Sequence, residues 1–401
     1  MHALGTLAIV PTLLLLAGVL LTACVGGEGE ESLENGRGAN GISVPSGFAE
    51  VKFAGGLDHP TALAFSPDGK LYVAQQNGEV LILEDADGDG IAENRKVFAR
   101  GLLLPLGMTF VGGDLFVSER GKVTRVVDVD SDGVSDGVES IITGLPVGGA
   151  LHTNHQNNGI AMGPDGYLYL GIGIDPTGGG DTRKEPTVEP KVHGGLGLGT
   201  PGPSPAPPSL DARAGTILRF RPDGSDATIY ATGFRNPVGL AFDSNGNLIA
   251  TDLGPDQPEG PDELNHVVQG ADYGFRRSLA EPVGPGDIPP IVTLDVAATN
   301  GVSFYTMDAF PEDYRGNAFV AQWGQAQDDV AFTNRVIRIK MREVDGRLQG
   351  SSRTFAVGFE HPIATAVGPD GSLFVADWGS LDPSKTESGA IYRIFYSGSG
   401  R

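Results

Sequence analysis

The stretch Gly56-Leu-Asp-His-Pro-Thr-Ala-Leu-Ala-Phe-Ser-Pro-Asp-Gly69 is repeated along the chain. It returns as Gly233-Phe-Arg-Asn-Pro-Val-Gly-Leu-Ala-Phe-Asp-Ser-Asn-Gly246 and as Gly358-Phe-Glu-His-Pro-Ile-Ala-Thr-Ala-Val-Gly-Pro-Asp-Gly371, with one length and one layout. A fourth copy starts at Gly101, has Pro105 in register and closes at Gly112-Gly113. Looser copies are Thr153-Asn-His-Gln-Asn-Asn-Gly-Ile-Ala-Met-Gly-Pro-Asp-Gly166 and the segment from Asn300 to Gly316. Each copy is a small-apolar strand running into a Pro-Asp-Gly or Asn-Gly turn, a strong hairpin signal. A second apolar strand follows: Leu71-Tyr-Val-Ala, Leu115-Phe-Val-Ser, Leu168-Tyr-Leu-Gly, Leu248-Ile-Ala-Thr, Ala318-Phe-Val-Ala, Leu373-Phe-Val-Ala. Third strands such as Val80-Leu-Ile-Leu and Ile391-Tyr-Arg-Ile come next. The closing glycines 69, 113, 166, 246, 316 and 371 are 44 to 80 residues apart, the longer gaps carrying loops. Six units of this kind predict an all-β fold, a six-bladed β-propeller with four-stranded blades. Independent hairpins in a sandwich would not share a register.

Composition agrees. The 401 residues include 61 Gly and 28 Pro, which favours short strands and tight turns over long helices. The formal charge of −22 argues against nucleic acid and against an anionic lipid surface as partners, since both need positive patches.

Residues Ala3 to Ala23 are almost wholly apolar and end in Leu21-Thr22-Ala23-Cys24. This pattern predicts an export signal over residues 1–24. Its last four residues resemble a bacterial lipobox, which would make Cys24 a lipidated N-terminus and the protein a cell-envelope lipoprotein held by a lipid anchor only. A plain signal peptide or uncleaved anchor also fits. Cys24 is the sole cysteine, so no internal disulfide forms. Residues 25–43 are polar and Gly-rich and read as a flexible tether. The propeller is expected over 44–398, with a low-complexity insertion at 174–213 containing Gly199-Thr-Pro-Gly-Pro-Ser-Pro-Ala-Pro-Pro-Ser209.

In a propeller the innermost strands begin at the mouth of the central channel. The two residues ahead of each should meet there: Asp58/His59, Leu103/Leu104, His155/Gln156, Arg235/Asn236, Thr299/Asn300 and Glu360/His361. Four of these six pairs carry an ionisable residue. Folding accounts for the shared Gly, Pro and apolar positions but not for ionisable groups at one recurrent slot, so the ring of slots is the default site.

Two stretches now carry a family resemblance. One is Gly233-Phe-Arg-Asn-Pro-Val-Gly-Leu-Ala-Phe with Ala250-Thr-Asp-Leu-Gly-Pro-Asp256 and Pro261-Asp-Glu-Leu-Asn-His-Val-Val-Gln-Gly-Ala-Asp-Tyr-Gly-Phe275. The other is His155-Gln-Asn-Asn-Gly-Ile-Ala-Met. Over residues 44 to 397 the chain resembles the soluble glucose/sorbosone dehydrogenases, closest to the sorbosone dehydrogenase-like branch. The resemblance implies oxidation of a sugar's C1 hydroxyl by pyrroloquinoline quinone (PQQ), with electrons passed to an external acceptor. It implies His155 as general base, a task suited to imidazole. Arg235 and Asn236 would bond the quinone oxygens, where a cation and an amide stabilise developing negative charge. Gln156, Trp323 and His361 would complete the cofactor site. Gly254 and Pro255 match backbone carbonyls that ligate Ca²⁺, with Asp262 and Glu263 behind that loop. His155 as a satisfied turn residue, and Arg235 as an interior partner of Asp262 or Glu263, are the plainer alternatives. Asn154 stands where the family often has Asp. Gly324, His361 and Ile363 stand where its best-known members place a Lys and an Arg pair on the cofactor's carboxylates.

Two further loops, Asp85-Ala-Asp87-Gly-Asp89-Gly-Ile-Ala-Glu93 and Asp128-Val-Asp130-Ser-Asp132-Gly-Val-Ser-Asp136, share one spacing. Alternating carboxylates with a Gly at the bend can wrap Ca²⁺, in a structural role; empty Asp-rich turns are the plainer reading. Trp323 and Trp378 offer a stacking face for a sugar or cofactor ring, or interblade packing. Two other functions remain open: a Ca²⁺-dependent lactonase-type hydrolase using Asp58, Glu360, Asn236 and Asn300, and a non-catalytic binding protein.

Overall fold

The computed structural model describes residues 38, 40–147, 156–174, 213–254, 260–275, 286–324 and 334–398. These residues form six four-stranded antiparallel sheets. Blade 1 is Pro60–Phe65, Leu71–Gln75, Val80–Glu84 and Asn94–Ala99. Blade 2 is Gly107–Val111, Asp114–Glu119, Lys122–Val127 and Gly137–Thr143. Blade 3 is Asn157–Met162, Leu168–Ile172, Thr216–Phe220 and Thr228–Thr232. Blade 4 is Pro237–Phe242, Leu248–Asp252, Asp262–Val267 and Val292–Leu294. Blade 5 is Thr299–Phe304, Ala318–Gln322, Arg335–Val344 and Arg347–Val357. Blade 6 is Pro362–Val367, Leu373–Asp377 and Gly389–Tyr396, completed by the N-terminal strand Phe48–Leu57 as its outermost member.

The six-bladed propeller expected from the repeat is therefore what the chain forms. Closure by the first strand was not anticipated. It staples the two ends of the chain into one sheet, with Phe48 opposite Tyr396 and Leu57 opposite Gly389. Packing begins ahead of that strand, since Ile42 is fully buried and Ser43 bridges Val357.

The apolar run of each second strand has a simple cause: both faces are covered by neighbouring blades. In blade 1, Leu71 and Val73 pack toward blade 6, while Tyr72 and Ala74 pack toward blade 2. Six hydrophobic clusters result, one in each interblade seam.

The innermost strands line the axial channel with three residues apiece, such as Thr61-Ala62-Leu63 and Val238-Gly239-Leu240. The middle residue of each trio is small: Ala62, Gly107, Gly159, Gly239, Gly301 and Ala364. The reason is close approach. A Cβ on Gly239 would sit 2.5 Å from the Asn300 carbonyl oxygen, and one on Gly159 would sit 2.3 Å from that of Val238. This ring also fixes the register of the slots. The trio in blade 5 is Asn300-Gly301-Val302, so its slot is Ala297/Ala298, not Thr299/Asn300. Ala298 has the left-handed φ of 50° that His59 (49°) and Leu104 (48°) have in their own slots. Thr299 and Asn300 belong to the strand itself, whose polar ends mimic a slot in sequence.

Candidate active site at the channel mouth

A polar residue ends the second strand of five blades, and in four of them it holds the slot loop. Gln75 Oε1 accepts the Asp58 N–H at 2.8 Å, and Glu119 Oε2 accepts the Leu103 N–H at 2.5 Å. Asp252 takes the N–H of Arg235 (3.1 Å) and of Asn236 (2.7 Å). Asp377 takes those of Glu360 (2.8 Å) and His361 (2.6 Å). Gln322 donates instead, through Nε2 to the Thr299 hydroxyl at 3.2 Å. The position directly after each Leu-Tyr-Val-Ala-like run is the signal for these residues, and the sequence reading stopped one residue short of it. Burial pushes the Asp252 carboxyl up to about 7 and raises that of Asp377, against the pull of the N–H donors.

Arg235 and Asn236 are both buried at the blade 4 slot. The Arg235 guanidinium donates from Nη1 to the carbonyls of Leu253 (3.4 Å) and Gly254 (2.6 Å). Asp262 braces the same loop: Oδ1 accepts the Gly254 N–H (3.0 Å) and Oδ2 accepts the Thr299 N–H (2.7 Å) in blade 5. Burial raises the pKa of Asp262 and of its neighbour Glu263, which accepts from Asn265. Asp262 thus ties the Gly254 backbone to blade 5.

Asn158, which the sequence reading passed over, ties blade 3 to this loop. Its Nδ2 donates to Asn236 Oδ1 at 2.8 Å and to the Pro237 carbonyl at 3.2 Å. Three buried polar atoms here have no partner: Asn236 Nδ2, Asn158 Oδ1 and Gln156 Oε1. Unmet donors and acceptors in one buried cluster mark a place for a ligand or ordered water with both functions. Gln156 is anchored by its Nε2 to the Leu104 carbonyl at 3.4 Å. His155, Pro255 and Cys24 lie outside the described residues, as does the insertion over 175–212.

The opposite side of the mouth, from blades 5, 6 and 1, is aromatic. Trp323 lies 4.7 Å from the His361 ring and 5.2 Å from Trp378, centroid to centroid. His59 stacks on Trp378 at 3.6 Å. Gly324 has a φ of 93°, and a Cβ there would fall 1.9 Å from Asn334 Oδ1, so no long side chain fits at that position as it stands.

Both acidic loops join the third and fourth strands of their blades. In the first, Asp85, Asp87, Asp89 and Glu93 each bring an oxygen within 4.8 Å of the others. In the second, Asp128, Asp130 and Asp136 do so. Asp132 stands outside that set, its Oδ1 accepting the Val134 N–H at 2.7 Å. The backbone course matches between the loops: Asp85 Oδ2 accepts from Gly90 and Asp128 Oδ2 from Gly133, both at 2.8 Å.

Comparison with known proteins follows this geometry. A family described as Domain of unknown function (DUF7133) matches residues 36–195. The chain is 26% identical over 369 residues to the aldose sugar dehydrogenase YliI of Escherichia coli (strain K12), covering 80% of this chain and 87% of that one. It is 25% identical over 283 residues to quinoprotein glucose dehydrogenase B of Acinetobacter calcoaceticus, covering 58% of this chain and 55% of that one. The match thus spans about half the length of the Acinetobacter protein. The PQQ-bound aldose sugar dehydrogenase of Streptomyces coelicolor shares the fold, with a TM-score of 0.61 at 19% identity, over 88% of this chain and 99% of that one. The chain is thus similar to quinoprotein sugar dehydrogenases. Its mouth has two unlike halves: an amide–guanidinium half on blades 3 and 4, and an indole–imidazole half on blades 5, 6 and 1.

Proposed function

We propose that this chain is a PQQ-dependent sugar dehydrogenase that oxidises the C1 hydroxyl, or the aldehyde, of an aldose or related sugar and passes electrons to an external acceptor at the cell envelope. One observation carries the reading. Asn236 Nδ2 is a fully buried donor without a partner, on the residue after a buried guanidinium, in a loop whose backbone a buried carboxylate holds. Such a pair suits two adjacent carbonyl oxygens that gain negative charge. The quinone, when bound, supplies the two-electron acceptor. Arg235 and Asn236 would donate to its oxygens, and Gln156 would contact its rim. Gly254 and Pro255 would offer carbonyl oxygens to the accompanying Ca²⁺. His155 would take the hydroxyl proton as the sugar is oxidised. The aromatic half fits ring faces and not carboxylates, so Trp323 and His361 would meet the cofactor as a wall.

Ca²⁺ in the two acidic loops, and export with attachment through Cys24, belong to the same proposal. The gathered oxygens support the first, and the apolar run ending in Leu-Thr-Ala-Cys24 supports the second.

The test is titration of the purified protein with PQQ and Ca²⁺, followed by visible spectroscopy and sugar-dependent dye reduction. A saturable spectral change and dye reduction are expected. His155→Ala should abolish turnover while far-UV circular dichroism stays unchanged. Arg235→Lys should lower kcat by ~100-fold, the scale of losing one oxyanion donor. No spectral change on quinone addition overturns the reading, and lactone cleavage with Ca²⁺ alone would replace it with a hydrolase.

A further inference from the structure

Blade 3 begins with two buried asparagines that turn opposite ways. Asn157 faces blade 2. Its Nδ2 donates to the Ser118 hydroxyl (2.9 Å) and to the carbonyls of Glu119 (2.7 Å) and Lys122 (3.0 Å), and its Oδ1 accepts the Gly121 N–H at 2.9 Å. Asn158 faces blade 4, where its Nδ2 meets Asn236 Oδ1 and the Pro237 carbonyl. The next residue, Gly159, lies so near blade 4 that a Cβ on it would sit 2.3 Å from the Val238 carbonyl oxygen. That close approach brings the Asn158 amide within reach of the blade 4 slot. Position alone does not make the bond. Asn300 stands at the matching place in blade 5 and turns its Nδ2 to the Ala298 carbonyl of its own blade at 2.8 Å.

The sense of these amides follows from one carbonyl. The Pro237 carbonyl only accepts, so the Asn158 atom 3.2 Å from it is the NH2 group and not the oxygen. The second hydrogen of that NH2 points to the Asn236 side chain at 2.8 Å, which must therefore present its oxygen. Asn236 Nδ2 is left over as a donor, and among the described residues it has no partner. The Asn236 backbone is held separately: Asp252 accepts its N–H at 2.7 Å, and its carbonyl accepts the Leu253 N–H at 3.2 Å. Only the side-chain amide remains to be fixed, and Asn158 fixes it.

We infer that Asn158 is a positioning residue: it holds the Asn236 amide with its oxygen toward blade 3, so that the slot offers a ligand a donor and not an acceptor. The inference rests on the sugar dehydrogenase reading for the ligand that uses this donor, and goes beyond it in naming the residue that sets the donor. Without Asn158, a half-turn of the Asn236 amide would place an oxygen where the NH2 group belongs, acceptor against acceptor. A preset donor counts most where its partner gains negative charge. Loss of Asn158 should therefore fall harder on the reduced quinone than on the oxidised one.

Two measurements test this, the first without quinone. Asn236→Asp keeps an oxygen toward Asn158 and replaces the spare donor, while Asn158→Leu removes the group that donates to it. In thermal melts of the quinone-free protein, Asn236→Asp should lower Tm by at least ~2 °C less in the parent than in the Asn158→Leu background. No coupling, or coupling of the opposite sign, overturns the inference, because an accepting Asn158 would repel the new carboxylate. The second measurement titrates the parent and Asn158→Leu with PQQ, oxidised and reduced, under anoxic conditions by visible spectroscopy, with the fold checked by circular dichroism. The variant should weaken the reduced form ~10-fold more than the oxidised form, a shift of ~30 mV for the two-electron couple. Equal weakening of both forms would make Asn158 a packing residue only and also overturns the inference. If Asn236→Asp does not fold, this titration decides. A parent that binds neither form sinks the dehydrogenase reading, and the quinone-free melts then decide the role of Asn158 by themselves.

Discussion

Asp252 holds Arg235 by its backbone and not by its charge: the carboxylate accepts the N–H of Arg235 at 3.1 Å and of Asn236 at 2.7 Å, while the guanidinium turns to the carbonyls of Leu253 and Gly254. Both polar ends of Arg235 are thus placed by consecutive residues, Asp252 at the end of the strand Leu248–Asp252 and Leu253-Gly254 directly after it. The same device recurs at Asp377 under Glu360 and His361. A rigid scaffold with interchangeable slot residues lets a propeller vary its mouth without changing its core.

Burial of Asp252 has a consequence for stability against pH. Its carboxyl sits at about 7 in the folded chain against 3.8 ordinarily. The folded state therefore keeps a proton that the unfolded chain has lost, so the group favours folding most at low pH and less as pH rises through this window. In Asp252→Asn that dependence disappears. The stability difference between variant and parent should move in the variant's favour by ~3 kcal/mol from pH 4 to pH 7. Denaturant unfolding at a series of pH values measures it, and a difference that stays flat across the window rejects the assignment.

The ring of small residues around the axis sets a steric limit. Gly239→Ala places a methyl 2.5 Å from the Asn300 oxygen, which is backbone and cannot rotate away. A cost of ~1–3 kcal/mol follows from overpacking of this kind. The reverse change at an equivalent position, Ala364→Gly, should cost less than ~1 kcal/mol. Thermal melts of the two variants decide the matter, and equal losses would show that close approach is not the cause.

Calcium in the acidic loops makes a separate prediction. Chelation should lower Tm by ~2–5 °C, as loss of a ligand bound only to the folded state requires. A double variant, Asp85→Asn with Asp128→Asn, should melt at the same temperature with and without Ca²⁺. A parent protein whose Tm ignores chelator and Ca²⁺ alike would leave the loops as plain acidic turns.

Particular residues show what the sequence made legible. The Pro-Asp-Gly turns and Leu-Tyr-Val-Ala runs carry the blades because interblade burial demands an unbroken apolar second strand in every copy. Arg235 and Asn236 were visible because they interrupt a repeat that is otherwise constant. Asp252, Gln75 and Glu119 were not, since a single polar residue at a strand end looks like any surface terminus until the slot N–H groups are seen to need it. The blade 5 slot was misplaced because Thr299-Asn300 is polar and Ala297-Ala298 is not, although the small residue Gly301 gives the correct register. Asn158 was overlooked for a related reason: its role lies in a bond to another blade, 78 positions along the chain.

Closure of the ring leads to the last prediction. The strand Phe48–Leu57 is the only covalent route by which the N-terminal side of the propeller enters blade 6, and Phe48 opens it. The Phe48 ring packs against Phe310 (4.8 Å), Tyr314 (5.1 Å), Phe355 (5.2 Å) and Tyr396 (5.2 Å), joining blades 5 and 6 at their outer edge. Truncation of such a ring costs ~3–5 kcal/mol. Here the loss falls on a seam in which the first strand meets residues near the other end of the propeller chain. Phe48→Ala should therefore lower global stability by that amount and also increase amide exchange first in Gly389–Tyr396, the partner of the closing strand. A substitution of equal size inside an ordinary seam, Phe116→Ala between blades 2 and 3, should lower stability comparably without singling out blade 6. Hydrogen exchange on the two variants separates the cases: if blade 6 exchanges no faster in Phe48→Ala than in Phe116→Ala, the N-terminal strand is not the latch.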